Sequence, residues 1–212
     1  MNNVQKIVNI GLFLFGAALL VCLFYLFIEP EKDAAKNPPP PQAITSEKPT
    51  GGNFTLTALD GQHSLSDFKD KLVLLYFGYT YCPDICPTDL GNLSMAYQRL
   101  TDAEKSNIQI LFVTVDPTRD TAKRMAEYTQ YFNADIIGLT GTEQKIATVT
   151  QKYGAVYLKS EQENKENYTV DHSAFLYIID KNGQLQTQLP HAISPQQVQN
   201  TIRTYLTQDK IQ

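Results

Sequence analysis

No sustained basic stripe runs through this 212-residue chain, and its formal net charge is −4 at pH 7. Binding nucleic acid needs Lys and Arg clustered against phosphate, so that class of function is set aside. No internal repeat is present either, which leaves one medium domain of roughly 150 residues plus a tether as the default organisation. Cysteine and histidine are scarce, three of each, and each can be weighed individually.

Charge is missing altogether from residues 7–28, where Asn9 is the one strongly polar side chain. A helix over this stretch reaches ~33 Å, enough to cross a hydrocarbon core of ~30 Å. A small-residue cleavage site is also missing, because the run continues through Leu23-Phe24-Tyr25-Leu26-Phe27-Ile28. An uncleaved transmembrane anchor is therefore expected rather than a removed signal. Lys6 and the amino terminus precede it, while Glu29, Glu31 and Asp33 follow among Lys32 and Lys36. By the positive-inside rule residues 1–6 stay in the cytoplasm and the body hangs on the periplasmic or extracytoplasmic side of the cell membrane. Cys22 lies within the span behind Val21, a poor fit to lipoprotein processing, and reads as a small packing residue.

Residues 29–52 lose periodicity around Pro38-Pro39-Pro40-Pro41. They read as a Pro-rich linker, stiff in polyproline II, that holds the body off the bilayer. The body, 53–212, opens with alternation over Phe54–Leu59 and an Asp60-Gly61 turn, the signal of a β-hairpin. The runs Lys71–Phe77 and Ile108–Val115 are almost continuously apolar, as expected of parallel strands covered on both faces. Between them Pro87–Leu100 has helical spacing. Further helices are expected over Asp120–Phe132 and Glu143–Tyr153, around a short strand at Ile136–Leu139. Strands at Ala155–Lys159, Ala174–Ile179 and Gln184–Leu189 and a last helix capped by Ser194-Pro195 complete an α/β domain with a mixed sheet.

Cys82 and Cys86 fall just after the first buried strand, at the mouth of the following helix, where ligands and chemistry collect in open α/β sheets. Amides at a helix N-terminus favour anions and so enrich the thiolate. His172 is expected to open an antiparallel strand at the same sheet end, facing the thiols. Two thiolates and an imidazole suit three-coordinate Cu(I), and with a further ligand Cu(II). A tetrahedral structural zinc site lacks a fourth ligand of convincing spacing. A competing reading makes Cys82 and Cys86 a disulfide that staples the loop, in an oxidising compartment. His63 and His191 carry no partner at meaningful spacing and read as surface or turn residues.

Three segments carry a resemblance: Gly78-Tyr79-Thr80-Tyr81-Cys82-Pro83-Asp84-Ile85-Cys86-Pro87, Val115-Asp116-Pro117-Thr118-Arg119-Asp120 and Val170-Asp171-His172-Ser173. The chain resembles the Sco (SenC-like) family, membrane-anchored thioredoxin-like proteins that assemble the copper centre of cytochrome c oxidase. The resemblance spans about Asn53 to Leu206, and it implies a thioredoxin-like fold with copper ligands at Cys82, Cys86 and His172. It also implies a copper-receiving oxidase subunit, and other copper chaperones, as partners. Asp84, Tyr81 and Asp171 are candidates for the surroundings of the site, Asp84 equally as a turn or helix-cap carboxylate. Tyr81 stands where family members carry His or another polar residue. The Asp116–Asp120 loop is expected to cap the next helix through Asp116 or Asp120 and to pair Arg119. Two functions are open: a copper metallochaperone, which is not an enzyme, or a thiol-disulfide oxidoreductase in which Cys82 and Cys86 are the catalytic redox pair.

Overall fold

The computed structural model describes residues 49–160 and 168–208. The anchor expected over 7–28, and the linker up to residue 48, lie outside these residues. Among the described residues no helix is long and apolar enough to cross a membrane.

In chain order the strands are β1 (Thr55–Ala58), β2 (Gly61–Ser64), β3 (Leu72–Gly78), β4 (Ile108–Thr114), β5 (Ile136–Leu139), β6 (Tyr157–Lys159), β7 (Val170–His172), β8 (Leu176–Ile179) and β9 (Leu185–Leu189). The α-helices are α1 (Ile85–Gln98), α2 (Asp102–Ser106), α3 (Ala122–Thr129), α4 (Glu143–Tyr153) and α5 (Pro195–Gln208). Every residue of β3 and β4 is buried, which is why both read as unbroken apolar runs. They pair in parallel, from Leu72 opposite Ile108 to Gly78 opposite Thr114. The five-stranded sheet has the order β5-β4-β3-β8-β9, with β8 antiparallel to β3.

Alternation along β3 divides the core between the two faces of the sheet. Leu72, Leu74 and Tyr76 pack with α1 residues Leu90 and Leu93 and α5 residues Val198 and Ile202. Val73, Leu75 and Phe77 pack with the β1–β2 hairpin residues Leu56 and Ala58 and with Ile146, Val149 and Tyr153 of α4. Cys82 touches both clusters, so the site loop crosses the end of the sheet.

Several boundaries differ from expectation. α1 begins at Ile85, ahead of Pro87; proline is tolerated there because first-turn amides have no helical partner to lose. α3 begins at Ala122 and is capped by Thr121, whose side chain accepts from the Arg124 amide. Asp116 and Asp120 therefore do not cap it. The short α2 was not anticipated, although Thr101 and Glu104 form a capping box around its start. At α5 the Ser194-Pro195 start holds: Ser194 Oγ accepts from the Gln197 amide at 3.3 Å, and Gln197 Oε1 accepts from the Ser194 amide at 3.1 Å. His172 does not open a central strand. It ends β7, which pairs only with β6 in a separate two-stranded ribbon, and β8 begins at Leu176. Because Leu176 lies opposite Tyr76 near the end of β3, the expected sheet end is reached all the same.

Candidate metal centre at the carboxyl end of the central strand

Beyond Gly78 the chain turns within Tyr79–Cys82, closed by the Cys82 amide donating to the Tyr79 carbonyl at 3.2 Å. Cys86 sits in the first turn of α1, and its amide donates to Cys82 Sγ at 3.4 Å. The sulfur thus fills the role a capping oxygen usually takes. Asp84 holds the N-cap position, but its side chain makes no capping bond. Cys86 is fully buried against β3, and Gly78 is what lets it lie there. A Cβ on Gly78 would fall 2.5 Å from Cys86 Sγ and 3.0 Å from Phe112.

His172 closes the site from the ribbon. Its Nε2 lies 3.3 Å from Cys86 Sγ, and one donor atom each from Cys82, Cys86 and His172 lie within 4.8 Å of one another. Nδ1 lies 3.2 Å from the Ser173 carbonyl. A carbonyl only accepts, so Nδ1 carries the hydrogen and Nε2 turns its lone pair to the sulfurs. The rings of Tyr76 and Tyr79 meet the imidazole edge-on, at centroid distances of 6.4 and 5.8 Å, which fixes its plane.

Both cysteines are free thiols, so the stapling disulfide is not what the structure contains. Their environments differ sharply. Hydrogen bonding from Cys86 first, with the Cys86 and Asp84 amides adding to it, outweighs partial burial and lowers the Cys82 thiol to about 3. The bond to Cys82 and burial push the Cys86 thiol far up. The pair therefore shares one proton, held on the buried sulfur.

A buried carboxylate braces the loop. Asp120 accepts from the Thr80 amide at 3.0 Å, the Thr80 hydroxyl at 2.6 Å and the Thr114 hydroxyl at 2.7 Å. Burial raises its pKa against these hydrogen bonds. Asp120 thus ties the cysteine loop to the end of β4, and Arg124 Nε adds a 3.0 Å bond to Thr80 Oγ1. The expected Arg119 pairing is present, to a fully buried Asp116. Tyr81, half exposed, has two guanidinium groups near its ring, with Arg119 and Arg124 at 4.7 and 5.0 Å from the centroid. Asp171 is exposed between buried Val170 and half-buried His172, so strand alternation sends it to the face opposite His172.

The other two histidines do have partners. His63 meets Asp60 at 2.8 Å and stacks on Phe68. His191 Nδ1 meets Asp89 at 2.9 Å, and Asp89 accepts from the Tyr76 hydroxyl at 2.9 Å. No spacing in the sequence pairs residues 89 and 191.

Fold and site together define a class: a thioredoxin-like α/β domain with a soft three-donor cluster at the carboxyl end of its central strand. The family model described as SCO1/SenC matches residues 42–207, and the chain belongs to that family. It is 36% identical over 204 residues to the SCO2-like protein of Rickettsia conorii, an alignment covering 95% of this chain and 97% of the relative. Among solved structures, Bradyrhizobium japonicum ScoI with copper bound matches at TM-score 0.67 and 31% identity, over 73% of this chain and 98% of that one. Yeast Sco1 with copper bound matches at TM-score 0.67 and 32% identity, over 74% and 88%.

Proposed function

We propose that this chain is a membrane-anchored copper metallochaperone that carries copper on Cys82, Cys86 and His172 and passes it to the copper-receiving subunit of cytochrome c oxidase. One observation carries the reading: two sulfurs and an imidazole lone pair lie within 4.8 Å of one another, and no further Cys, His, Asp or Glu donor joins them among the described residues. That donor set suits a soft, low-coordinate ion better than a closed tetrahedral one. ScoI and Sco1, at 31% and 32% identity, are relatives solved with copper bound, and the recipient is read from family membership. The half-exposed Cys82 thiolate meets the ion first. Cys86 then joins with loss of its proton, and Nε2 of His172 completes the set. Delivery reverses the order by ligand exchange with the recipient's thiols. Residues 7–28 as anchor and 29–52 as spacer keep the site on the extracytoplasmic side.

Copper titration of the reduced chain tests the site. Wild type binds one ion tightly, whereas His172→Ala binds more weakly and with a changed electronic spectrum. Unchanged affinity and spectrum would rule out the three-ligand site.

The asymmetry of the thiols favours a second reading, thiol-disulfide oxidoreduction. The Cys82 thiolate attacks a partner disulfide, forming a mixed disulfide and releasing one partner thiolate. Cys86 then attacks Cys82 Sγ, its proton passing to the released thiolate, and leaves a Cys82–Cys86 disulfide with both partner thiols reduced. Measuring copper affinity and disulfide reductase activity on one preparation, wild type against His172→Ala, separates the two: copper binding without reductase activity favours the chaperone, and the reverse favours oxidoreduction.

A further inference from the structure

β7 delivers His172, and side-chain contacts rather than a strand ladder tie β7 to the central sheet: Val170 is buried with Val73, Leu75 and Phe77 of β3, and Tyr76 of β3 meets His172 edge-on. The ladder partner of β7 is β6, and the ribbon they form is three residues long on each side. An isolated two-stranded ribbon of that size is marginal in water. The Tyr76 and Tyr79 edges fix the ring's plane, and a further contact is needed to hold the segment that carries it against the cysteine loop.

The Arg119 side chain is placed to do so. It is 14% exposed and paired with Asp116, which is fully buried. Its Nη1 donates to the Tyr168 carbonyl at 2.9 Å, two residues before β7, and its Cζ lies 3.7 Å from the Tyr168 ring centroid. The same guanidinium lies 4.7 Å from the Tyr81 ring and 5.8 Å from the Tyr79 ring, both on the cysteine loop. The Tyr168 hydroxyl returns to Asp116, and the Val170 amide donates to the Tyr79 hydroxyl at 3.2 Å. Arg119 Nη2 is buried without a hydrogen-bond acceptor, so the group sits there for its stacking and its two-sided fork rather than for satisfied charge alone.

We infer that Arg119 is a positioning residue: its guanidinium clamps the His172-bearing segment to the cysteine loop and so helps set the distance from imidazole to thiols. Lysine cannot replace it, since an ammonium keeps the charge beside Asp116 but loses the fork to Tyr168 and the aromatic stack.

The inference rests on the copper reading, and its test has one arm without metal. The full-length chain, purified in detergent and reduced, is compared as wild type, Arg119→Lys, His172→Ala and the double variant, by competition for copper(I) against a chromophoric chelator. Arg119→Lys weakens binding about tenfold in the wild-type background, as loss of a group orienting a metal ligand does, and less than about twofold in the His172→Ala background, because coupled residues are non-additive. In the metal-free chain the amides of residues 169–172 exchange about tenfold faster in Arg119→Lys while those of β3 are unchanged, the mark of local rather than global opening. Equal losses in both backgrounds, or exchange rates that rise equally in β3 or nowhere, overturn the clamp. If wild type fails to bind copper, the metallochaperone reading falls and the exchange rates still decide the clamp. Should Arg119→Lys not fold, Tyr168→Leu removes the stack and the hydroxyl bond to Asp116 and is judged by the same outcomes.

Discussion

Adding a single methyl group at Gly78 should disable the site from within the core. An apolar contact sits at about 3.5–4.0 Å, whereas the new Cβ would meet Cys86 Sγ at 2.5 Å; the sulfur must therefore withdraw by roughly 1 Å. It cannot do so freely, because the same Cβ meets Phe112 at 3.0 Å and Tyr76 at 3.1 Å, both large buried rings. Overpacking of this kind costs about 1–3 kcal/mol, and at roughly 2–4 °C per kcal/mol for a chain of this size the melting temperature falls by several degrees. Cys86 Sγ also loses its 3.3 Å contact with His172, so copper(I) affinity should drop ~10–100-fold, as for loss of a group that orients a ligand. Gly91 supplies the control. It lies within α1 with nothing within 4 Å of an added Cβ, so Gly91→Ala should gain about 0.5–1 kcal/mol from helix propensity and leave copper binding alone. Thermal unfolding by circular dichroism and copper(I) competition on the same samples read both effects. A folded Gly78→Ala chain with wild-type copper affinity would refute the placement of Cys86 against the strand.

The shared proton makes a calorimetric prediction: with Cys82 ionised and Cys86 protonated at neutral pH, binding copper(I) should release about one proton, and affinity should rise about tenfold per pH unit. Titrations in two buffers of different ionisation enthalpy count it, and a count of zero or two would contradict the assignment. Since hydrogen bonds hold the Cys82 thiol at about 3, its alkylation by iodoacetamide should be almost independent of pH between about 5 and 8, whereas an ordinary thiol slows about tenfold per unit. Buried Cys86 should stay unmodified, as peptide mapping would show. Asp120→Ala should destabilise the domain by at least ~2 kcal/mol in urea unfolding, because it strands the Thr80 amide and two buried hydroxyls.

Much of the scaffold was legible because local chemistry dictates it. Burial of β3 and β4 on both faces writes an unbroken apolar run, Asp60-Gly61 marks the first hairpin, whose turn is Leu59-Asp60, and Ser194-Pro195 suits a helix start. The misassignments share a different cause. Asp116 and Asp120 looked like caps because carboxylates before a helix usually are, yet Thr121 takes that place and both carboxylates are buried among partners from other segments, Asp120 with Thr80 and Asp116 with Tyr168. The pairing of His191 with Asp89 is equally non-local. The ribbon carrying His172 reads as part of the main sheet from pattern alone, since three residues are too few for a period to show which partner they choose. Only α2 was missed despite a local signal, the Thr101-x-x-Glu104 capping box.

The two functional readings draw on one piece of physics, the unequal thiols. An amide of the α1 first turn stabilises charge on Cys82, while the Gly78 cradle keeps Cys86 dry and protonated. That inequality serves an attacking thiolate and a metal donor alike, so it cannot decide between them. The Nδ1 hydrogen of His172 points at a backbone carbonyl and two tyrosine edges fix its ring, an arrangement that presents a lone pair rather than a proton to the sulfurs. A soft cation gains a third donor from that lone pair, and in thiol exchange the same lone pair, 3.3 Å from Cys86 Sγ, gives a base for the proton Cys86 must lose. Because a Cys82–Cys86 disulfide would remove two of the three donors at once, oxidation of the pair and copper binding by all three residues would exclude each other.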